Sequence, residues 1–410
     1  MARILFLAHR IPYPPNKGDK IRSWHFFEHL AQQHDVHLGF YVDDKRDLQH
    51  IPFLENMSAS LCFETVSPFR QKLRGLVLGL LQQLPFTLAA YPQKRLKAYA
   101  KRLIENDEVD LVFLFSAATA PLVMEKDRIF KGLPVVADLV DMDSAKWSAY
   151  AARSRWPFSA LYRREARLLR AFEAEIAGVA DATVFVTDAE ARLFRQETDS
   201  KGRVEAVPNG VDLKMFDPDR FSAGPKNAAE EPVVIFTGAM DYRPNVEAAV
   251  WFCRHVWPQV RRAIPGARFK IAGAPVAPRV TEEAAKADGV EVLGYVEDMA
   301  AEIAAADIAV APLLTARGLQ NKVLEGMAMA KPVIASPAAL EGIEAAPDED
   351  IMLADGPGDF ASRLTMLLHD SDRRTALGAN ARRFVEAHHA WKPALAKFDR
   401  LIADVLERKG

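Results

Sequence analysis

The stretch "RGLQNKVLEGMAMAKPVIAS", Arg317 to Ser336, decides the fold. It combines a glycine-bearing loop, a short helix of small and sulfur-containing residues, and an apolar run that predicts a buried strand. The helix begins with the polar residues Gln320, Asn321 and Lys322, and Glu325 follows one turn later. A carboxylate near a helix N-terminus is favourable through the helix dipole alone, which is the structural interpretation. The alternative is that this helix start binds a ligand.

Outward from this stretch, strand-like apolar runs alternate with periodic helical segments, which predicts parallel sheets covered by helices. In the first half we predict strands at Ile4–Ala8, Val36–Tyr41, Leu111–Phe115, Val135–Leu139, Thr183–Thr187 and Val204–Val207. In the second half we predict strands at Val233–Thr237, Phe269–Ala272, Glu291–Leu293, Ile308–Ala311 and Val333–Ala335. In "NVEAAVWFCRHVWPQVRRAI" an apolar stripe predicts a helix that kinks or restarts at Pro258.

Length and turn chemistry predict the domains. A chain of 410 residues, half of them hydrophobic, exceeds the size at which one core usually divides. We expect an α/β protein with two Rossmann-like domains, at 1–218 and 233–386, facing across a cleft. Residues 219–232, "DRFSAGPKNAAEEP", lack periodicity and predict a linker. Residues 387–410 predict a C-terminal helix that packs back toward the first domain.

Composition indicates the cellular compartment and limits the classes of partner. The net charge of −2 gives no reason to expect nucleic acid. Two cysteines, Cys62 and Cys253, fit a reducing compartment, and "RILFLAH" is too short for a signal-peptide core. The most apolar stretch, "LRGLVLGLLQQLPF", is interrupted by polar residues, so it can lie on a bilayer but not cross one. We expect a cytoplasmic protein, with peripheral binding to the inner face of the cell membrane left open.

Two basic stretches leave a choice of partner. Residues Phe69 to Ile104 hold eight basic residues and no acidic one, and Arg153 to Arg170 hold six arginines and one glutamate. One interpretation is a pair of solvated helix faces. The other is a surface that faces anionic lipid or an anionic acceptor.

Several ligand motifs are missing. The sequence has no G-x-G-x-x-G, no G-x-x-x-x-G-K-[ST], no H-E-x-x-H and no C-x-x-C, which disfavours dinucleotide enzymes, P-loop NTPases and zinc sites. The triplet "DMD", with Asp141 and Asp143, is the one candidate for a divalent cation, and nothing nearby supports it. We therefore expect no metal and no cofactor.

A nucleotide bound at the carboxyl ends of the strands fits what remains. The loop "ARGLQNK" follows a strand-like run and opens a helix, so its amides and the helix dipole form an anion site. Lys322 adds a positive charge that would stabilise a diphosphate. Glu325 can accept two hydrogen bonds from vicinal ribose hydroxyls.

These residues also carry a family resemblance. The opening stretch resembles the nucleotide-sugar motif of the retaining family-four glycosyltransferases of GT-B fold, in which a Glu, seven residues and a second Glu precede Ala-Met-Ala and a Pro-Val-Ile strand. The similarity covers most of the chain: "VPNGVDLKMF", "FTGAMDYRPNVEAAVWF", "LGYVEDMAAEIAAADIAVAPL" and the N-terminal "ILFLAHRIPYPPNKGDKIRSWHFFEHLAQQHDVHL" all resemble family segments. The nearest likeness is to exosortase-associated exopolysaccharide sugar transferases.

The resemblance implies a set of site residues. For donor binding it implies Glu325 and a group of loop residues, namely Arg317, Gly318, Leu319, Gln320, Asn321, Gly238, Tyr295 and Val296. For the loop that meets the acceptor and the diphosphate it implies Gly18, Asp19 and Arg22. The catalytic candidates are Lys322, Arg243, Asp138 and Asp141. Either aspartate could instead cap a helix, Gly18 could mark an ordinary turn, and His9 could be structural or catalytic.

The sequence departs from the family pattern at two places. Arg317 stands where the first Glu of the motif is usual, so the donor-sugar contact is left open. The basic positions of the phosphate loop fall on Ala239 and Pro244, and Arg243 either substitutes for the missing lysine or is a surface arginine.

The implied activity is transfer of a sugar, of hexosyl type, from a nucleoside-diphosphate sugar to a glycan or lipid-linked acceptor with retention, in exopolysaccharide synthesis. A sugar-nucleotide epimerase of the same fold and a catalytically silent binding protein remain as alternatives.

Overall fold

The computed structural model describes residues 1–15, 18–125, 128–129, 132–221, 231–316 and 319–408. The chain divides into two compact units. The first unit contains Met1–Pro208 and Leu395–Gly410, and the second contains Asn209–Ala394. The expected boundary at 218 therefore lies inside the second unit. Residues 222–230 of the predicted linker lie outside the described residues.

The first unit is built on a parallel sheet. Its strands are β1 (Arg3–Ala8), β2 (Asp35–Val42), β3 (Ser60–Thr65), β4 (Leu111–Phe115), β7 (Val135–Val140), β8 (Ala182–Phe185) and β9 (Val204–Ala206), while β5 (Met124–Glu125) and β6 (Arg128–Ile129) form a separate antiparallel pair. Within the described residues the sheet has the order β3-β2-β1-β4-β7-β8-β9. Its middle strand, β4, is apolar throughout because helices cover both faces of the sheet.

The helices of this unit are α1 (Gly18–Ala31), α2 (Ile51–Met57), α3 (Pro68–Leu81), α4 (Phe86–Ala89), α5 (Lys94–Glu105), α6 (Asp143–Arg153), α7 (Phe158–Val179) and α8 (Asp188–Thr198). Short 3₁₀ turns occur at Lys45–His50 and Ala117–Leu122. The last helix, α16 (Trp391–Glu407), places Phe398 against Phe26 of α1, with parallel rings 4.2 Å apart. That stacking buries both rings in the core of the first unit.

The second unit repeats the architecture. Its strands are β10 (Val233–Thr237), β11 (Arg268–Ala272), β12 (Val290–Gly294), β13 (Ile308–Ala311), β14 (Val333–Ala335) and β15 (Met352–Leu353). Its helices are α9 (Arg243–Trp251), α10 (Trp257–Ala263), α11 (Pro278–Ala284), α12 (Met299–Ala305), α13 (Asn321–Ala328), α14 (Pro357–His369) and α15 (Ser371–His388), with 3₁₀ turns at Pro218–Arg220 and Pro337–Leu340. The described strands follow the order β12-β11-β10-β13-β14-β15. The strand order reverses between β10 and β13, where open α/β sheets bind their ligands.

The break predicted at Pro258 is present. A π-helical segment, Phe252–Val256, separates α9 from α10, and Pro258 lies in the first turn of α10. Proline has no amide hydrogen to donate, so it is tolerated in a first turn but not in a helix interior. The apolar stripe of this region, including Cys253 and Trp257, is buried in the core of the second unit.

A buried ion pair connects three elements of the first unit. Arg22 of α1 donates through Nε to Asp138 of β7 at 2.7 Å and through Nη2 at 3.2 Å, and its Nη1 donates to the carbonyl of Val207 at 2.8 Å. Neither side chain is exposed. Asp138 was expected to be catalytic and Arg22 to meet the diphosphate. Their burial and mutual pairing favour a structural role for both residues over those expectations.

We predict that breaking this pair destabilises the protein. Arg22→Met or Asp138→Asn should lower the free energy of unfolding by about 3–5 kcal/mol, because each leaves an uncompensated buried group. Urea unfolding measures the loss. The double variant should lose less than the sum of the two single variants. Single losses below about 1 kcal/mol, the range of exposed pairs, would contradict the assignment.

Candidate functional site

The start of α13 is an open helix N-terminus. Gln320 is the N-cap and makes no side-chain capping bond, while the amides of Val323 and Leu324 bond to its carbonyl. The first amides of a helix have no partner within the helix, so this end attracts anions. Leu319 and Gln320 are partly buried beside it. Arg317 and Gly318 lie outside the described residues.

Lys322 is held beside the end of β10. Its Nζ donates to Oδ1 of Asn245 at 3.1 Å and lies 3.5 Å from Oε1 of Gln320. The amine also lies 5.9 Å from the centre of the Phe236 ring. Burial lowers the pKa of Lys322 to about 8, an effect that nearby Glu325 only partly opposes. A cation held this way is poorly solvated and will bind an anion strongly.

Glu325 lies one turn along the same helix. Burial raises the pKa of its carboxyl to about 7, and Lys322 opposes that shift. Among the described residues, no donor makes a hydrogen bond to this carboxylate. The side-chain oxygen of Asn321 is buried and also lacks a partner there. Buried polar groups are nearly always hydrogen-bonded, so the unsatisfied oxygen of Asn321, together with the partly exposed carboxylate of Glu325 on the same helix, indicates a place for a polar ligand.

Two glycines keep the neighbouring strand ends free of side chains. Gly238 follows β10 with φ +142°, and a Cβ there would lie 2.8 Å from Nδ2 of Asn245 and 3.1 Å from Cε of Lys322. Gly273 follows β11 with φ +127°, and a Cβ there would lie 2.0 Å from the carbonyl oxygen of Gly238. Only glycine fits such positions at no steric cost. Both glycines therefore permit the close packing of β10, β11 and α13 at this edge of the sheet.

The third strand end carries the residues expected near the base. The amide of Gly273 donates to the carbonyl of Gly294 at 2.8 Å, which ties β12 to β11. Tyr295 follows directly and is 66% exposed, while Val296 packs against the core. The tyrosine ring is thus available for contact with a planar group at the carboxyl edge of the sheet.

Arg243 is an exposed residue. It begins α9 and its Nε donates to Glu247 at 2.8 Å, a partly exposed pair. That favours the surface interpretation over a substitute phosphate-loop lysine. Asn245 takes the central position instead, since it is buried, accepts from Lys322 and donates to the carbonyl of Ala239 at 2.9 Å. Its sequence signal was an amide side chain in the first turn of α9.

The first unit gathers charged side chains at the corresponding strand ends. Arg10 donates to Asp19 at 2.5 Å and pairs with Asp43 at 3.0 Å. His9 Nε2 lies 3.3 Å from Asp19, and the histidine ring stacks on Phe115. Asp19 lies in the first turn of α1, which begins at Gly18. The sequence pointed to Gly18, Asp19 and His9, but not to Arg10 or Asp43.

Asp141 follows a strained turn at the end of β7. Val140 has φ +68° and Ser116, after the adjacent strand β4, has φ +80°. Left-handed backbone in such residues costs about 1–3 kcal/mol and clusters at functional sites. Burial raises the pKa of Asp141 to about 7, with Lys146 opposing the shift. A carboxyl that titrates near neutral pH can exchange a proton with an acceptor hydroxyl.

The two aspartates of the "DMD" triplet have different surroundings. Asp143 accepts from Lys146 at 3.3 Å, whereas Asp141 keeps its raised pKa. In the described part of the chain, no three His, Cys, Asp or Glu side chains cluster with the geometry of a metal site.

Two protein families match the chain in succession. Glycosyltransferase Family 4 matches residues 23–215, and Glycosyl transferases group 1 matches residues 231–370. These matches support assignment of the chain to the GT-B superfamily of group 1 and family 4 glycosyltransferases.

Two curated bacterial proteins are similar. A GDP-mannose-dependent monoacylated alpha-(1-6)-phosphatidylinositol monomannoside mannosyltransferase of Corynebacterium glutamicum is 28% identical over 52% of this chain and 59% of its own length. The chain thus spans less than two thirds of that relative. A GDP-mannose-dependent alpha-(1-6)-phosphatidylinositol monomannoside mannosyltransferase of Mycobacterium tuberculosis is 25% identical over 72% of this chain and 76% of its own length.

Solved structures share the architecture. HepE of Anabaena, in complex with UDP and glucose, has a TM-score of 0.68 at 14% identity, over 98% of this chain and 100% of that chain. Sucrose-phosphate synthase of Thermosynechococcus elongatus has a TM-score of 0.70 at 18% identity, over 100% of both chains. At these identities the likeness concerns the fold. It confirms the predicted α/β class with two Rossmann-like domains of the GT-B type.

We predict that Glu325 contributes to nucleotide binding. Glu325→Ala should weaken binding of a nucleoside diphosphate by about 1–3 kcal/mol, the usual loss when hydrogen bonds to a charged group disappear. Calorimetry with the bare nucleotide measures it. Glu282→Ala, at an exposed carboxylate of α11, is the matched control and should leave the affinity unchanged. Equal affinity of the Glu325 variant and the wild type would remove Glu325 from the site.

We also predict that nucleotide affinity falls at alkaline pH. The free Lys322 amine has a pKa lowered to about 8, and a bound diphosphate favours its charged form. Binding is then strongest below that pKa and loses up to about tenfold per pH unit above it. Calorimetry at about pH 8 and about pH 9.5 tests this while Glu325 stays ionised in both. Lys322→Met should bind more weakly and without this slope, and a flat wild-type profile would contradict the role of the lysine.

Proposed function

We propose that this protein transfers a sugar from a nucleoside-diphosphate sugar to a glycan or lipid-linked acceptor, with retention at the anomeric carbon, in exopolysaccharide synthesis of the exosortase-associated kind. One observation carries the proposal. The amine of Lys322, whose pKa is lowered by burial, and the partly exposed carboxylate of Glu325 lie on one helix start, near two strand ends that are followed by glycine. A diphosphate and a ribose have the groups that complement them.

The proposed chemistry depends on charge that develops on the leaving diphosphate. Donors fixed in advance at that position lower the barrier most, because they need no reorganisation. Lys322 and the first amides of α13 supply this positive charge in the second unit. Asp141 is the candidate to accept the proton of the acceptor hydroxyl, since its pKa of about 7 suits that exchange. This scheme assigns no step to a metal ion.

The relatives support a lipid-linked acceptor. Both mannosyltransferases carry phosphatidylinositol monomannoside in their names, which is a lipid-borne sugar. The two cysteines are free, in keeping with the proposed cytoplasmic location at the inner face of the cell membrane. A sugar-nucleotide epimerase or a silent binding protein would share the donor site but would not need an acceptor.

The proposal predicts turnover that depends on an acceptor. Incubation with a panel of nucleotide sugars, a lipid-linked or glycan acceptor and excess EDTA should release nucleoside diphosphate only when both substrates are present. Proton NMR of the product should show the anomeric configuration of the donor. Lys322→Met should lower the turnover rate.

Other outcomes separate the alternatives. A changed donor without an acceptor would identify an epimerase, and binding without turnover would identify a silent protein. Inversion at the anomeric carbon would overturn retention. Activity lost in EDTA and restored by magnesium or manganese would overturn the metal-free scheme and return attention to Asp141 and Asp143.

A further inference from the structure

Helix α3 reverses the usual pattern of a surface helix. Its buried residues are Gly75 and Gly79. A Cβ on Gly75 would lie 2.7 Å from the carbonyl oxygen of Phe86, and one on Gly79 would lie 2.5 Å from the ring of Phe86. The helix therefore packs closely through its glycines. A helix of a globular protein normally buries its large apolar side chains and exposes polar ones.

The large side chains of α3 face solvent. They are between 44% and 76% exposed and comprise Phe69, Leu73, Leu76, Val77, Leu80 and Leu81. Most of them recur at spacings of three and four residues, so they form one stripe on the side opposite the glycines. We call this stripe the α3 face. Apolar side chains gathered in a contiguous exposed patch, rather than scattered singly, indicate an interaction site.

The loop between α6 and α7 extends the α3 face. Trp156 is 81% exposed and Phe158 is 58% exposed. Arg164 of α7 donates to the carbonyls of Gly79 and Leu84, which attaches this end of α7 to the end of α3. Phe158 lies six residues before Arg164 on the same helix, about 9 Å along its axis. The first turns of α7 therefore lie near the C-terminal end of α3.

Positive charge surrounds these apolar groups. Helix α3 contains Arg70, Lys72 and Arg74 and no acidic residue. The loop is bordered by Arg153 and Arg155. A shallow groove of about 770 Å³ between α6, α7 and α8 adjoins the loop and is lined in part by Arg163, Arg167 and Arg170, the last of which pairs with Glu197 at 2.9 Å. An apolar stripe rimmed by cations matches the interface of an anionic bilayer, where chains accept the apolar side and headgroups accept the charge.

We infer that the first unit docks on an anionic membrane through α3 and the α6–α7 loop, with α3 lying in the plane of the interface. A helix of 14 residues extends about 21 Å, too short to cross a bilayer core. None of the helices described here has the length and apolarity of a membrane span. The docking surface is separate from the nucleotide site of the second unit and does not depend on the proposed function.

The structure shows that the two halves of the basic run from Phe69 to Ile104 differ in their exposed apolar side chains. Its second half is α5, which buries Leu96, Tyr99 and Leu103 in the core and displays no large exposed apolar side chain in the described structure. The lysines of α5 have similar charge but lack an apolar stripe beside them. They provide a matched control for the basic residues of α3.

Vesicle sedimentation tests the inference. The full-length protein should sediment with phosphatidylglycerol-containing vesicles at low salt, and much less with phosphatidylcholine vesicles. Each charge near an anionic surface changes the partition constant about fivefold, so Arg70→Gln, Lys72→Gln and Arg74→Gln together should lower it at least tenfold. The control, Lys94→Gln, Lys97→Gln and Lys101→Gln together, should lower it far less. An equal loss in both variants would reduce the effect to general charge and overturn the docking surface.

Separate variants test how much the exposed apolar side chains contribute to vesicle binding. Leu76→Gln with Leu80→Gln replaces exposed side chains, so the thermal midpoint should be preserved and vesicle binding should fall by tenfold or more. Brominated lipids should quench the fluorescence of the wild type, and Trp156→Phe should lose most of that quenching. Absence of quenching would contradict insertion of the loop.

A second copy of this chain is the competing occupant of the α3 face. Sedimentation velocity without lipid separates the two. Self-association that Leu76→Gln with Leu80→Gln abolishes, together with indifference to lipid charge, would overturn membrane docking. Nucleotide affinity measured by calorimetry should be unchanged in every variant, which verifies that the second unit stays folded.

Discussion

The candidate site depends on one contact, a lysine amine held against a glycine at a strand end. Asn245 accepts a hydrogen bond from the Lys322 amine, and Gly238 leaves room for the Cε atom of the same side chain. Gly273 in turn leaves room for the carbonyl of Gly238. A Cβ on Gly238 would crowd Asn245 and Lys322, and a Cβ on Gly273 would crowd the backbone of Gly238. The positive charge available to a ligand is thus a consequence of backbone packing between β10, β11 and α13.

The two units place functional groups at the carboxyl ends of their strands by different structural means. Both gather functional groups at the carboxyl ends of a parallel sheet, where a helix start meets the strand order reversal. The second unit frees its strand ends with glycine, whereas the first holds Ser116 and Val140 in left-handed backbone. The first unit also contains a buried ion pair with a structural role, because Arg22 and Asp138 connect α1, β7 and the segment after β9.

Much of this could be predicted from the sequence, for reasons that particular elements show. Continuous apolar runs located the central strands, because parallel strands are covered on both faces. Strand β3 was missed because it is an edge strand with mixed polarity, and β15 because it is two residues long. Lys322 and Glu325 could be identified because their spacing is local. Asn245 and the pairing of Arg22 with Asp138 could not, since they depend on contacts between residues distant in the chain, and no local pattern records which charges neutralise each other.

The central claim is that the start of α13 binds a diphosphate. The most direct measurement compares thermal unfolding midpoints with a nucleoside, its monophosphate and its diphosphate at equal concentration, in the wild type and in Lys322→Met. Ligands that bind only the native state raise the midpoint in proportion to their affinity. The account predicts the largest rise with the diphosphate, a smaller one with the monophosphate, and loss of most of the difference in Lys322→Met. Equal shifts for all three ligands, or an unchanged ranking in the variant, would contradict it.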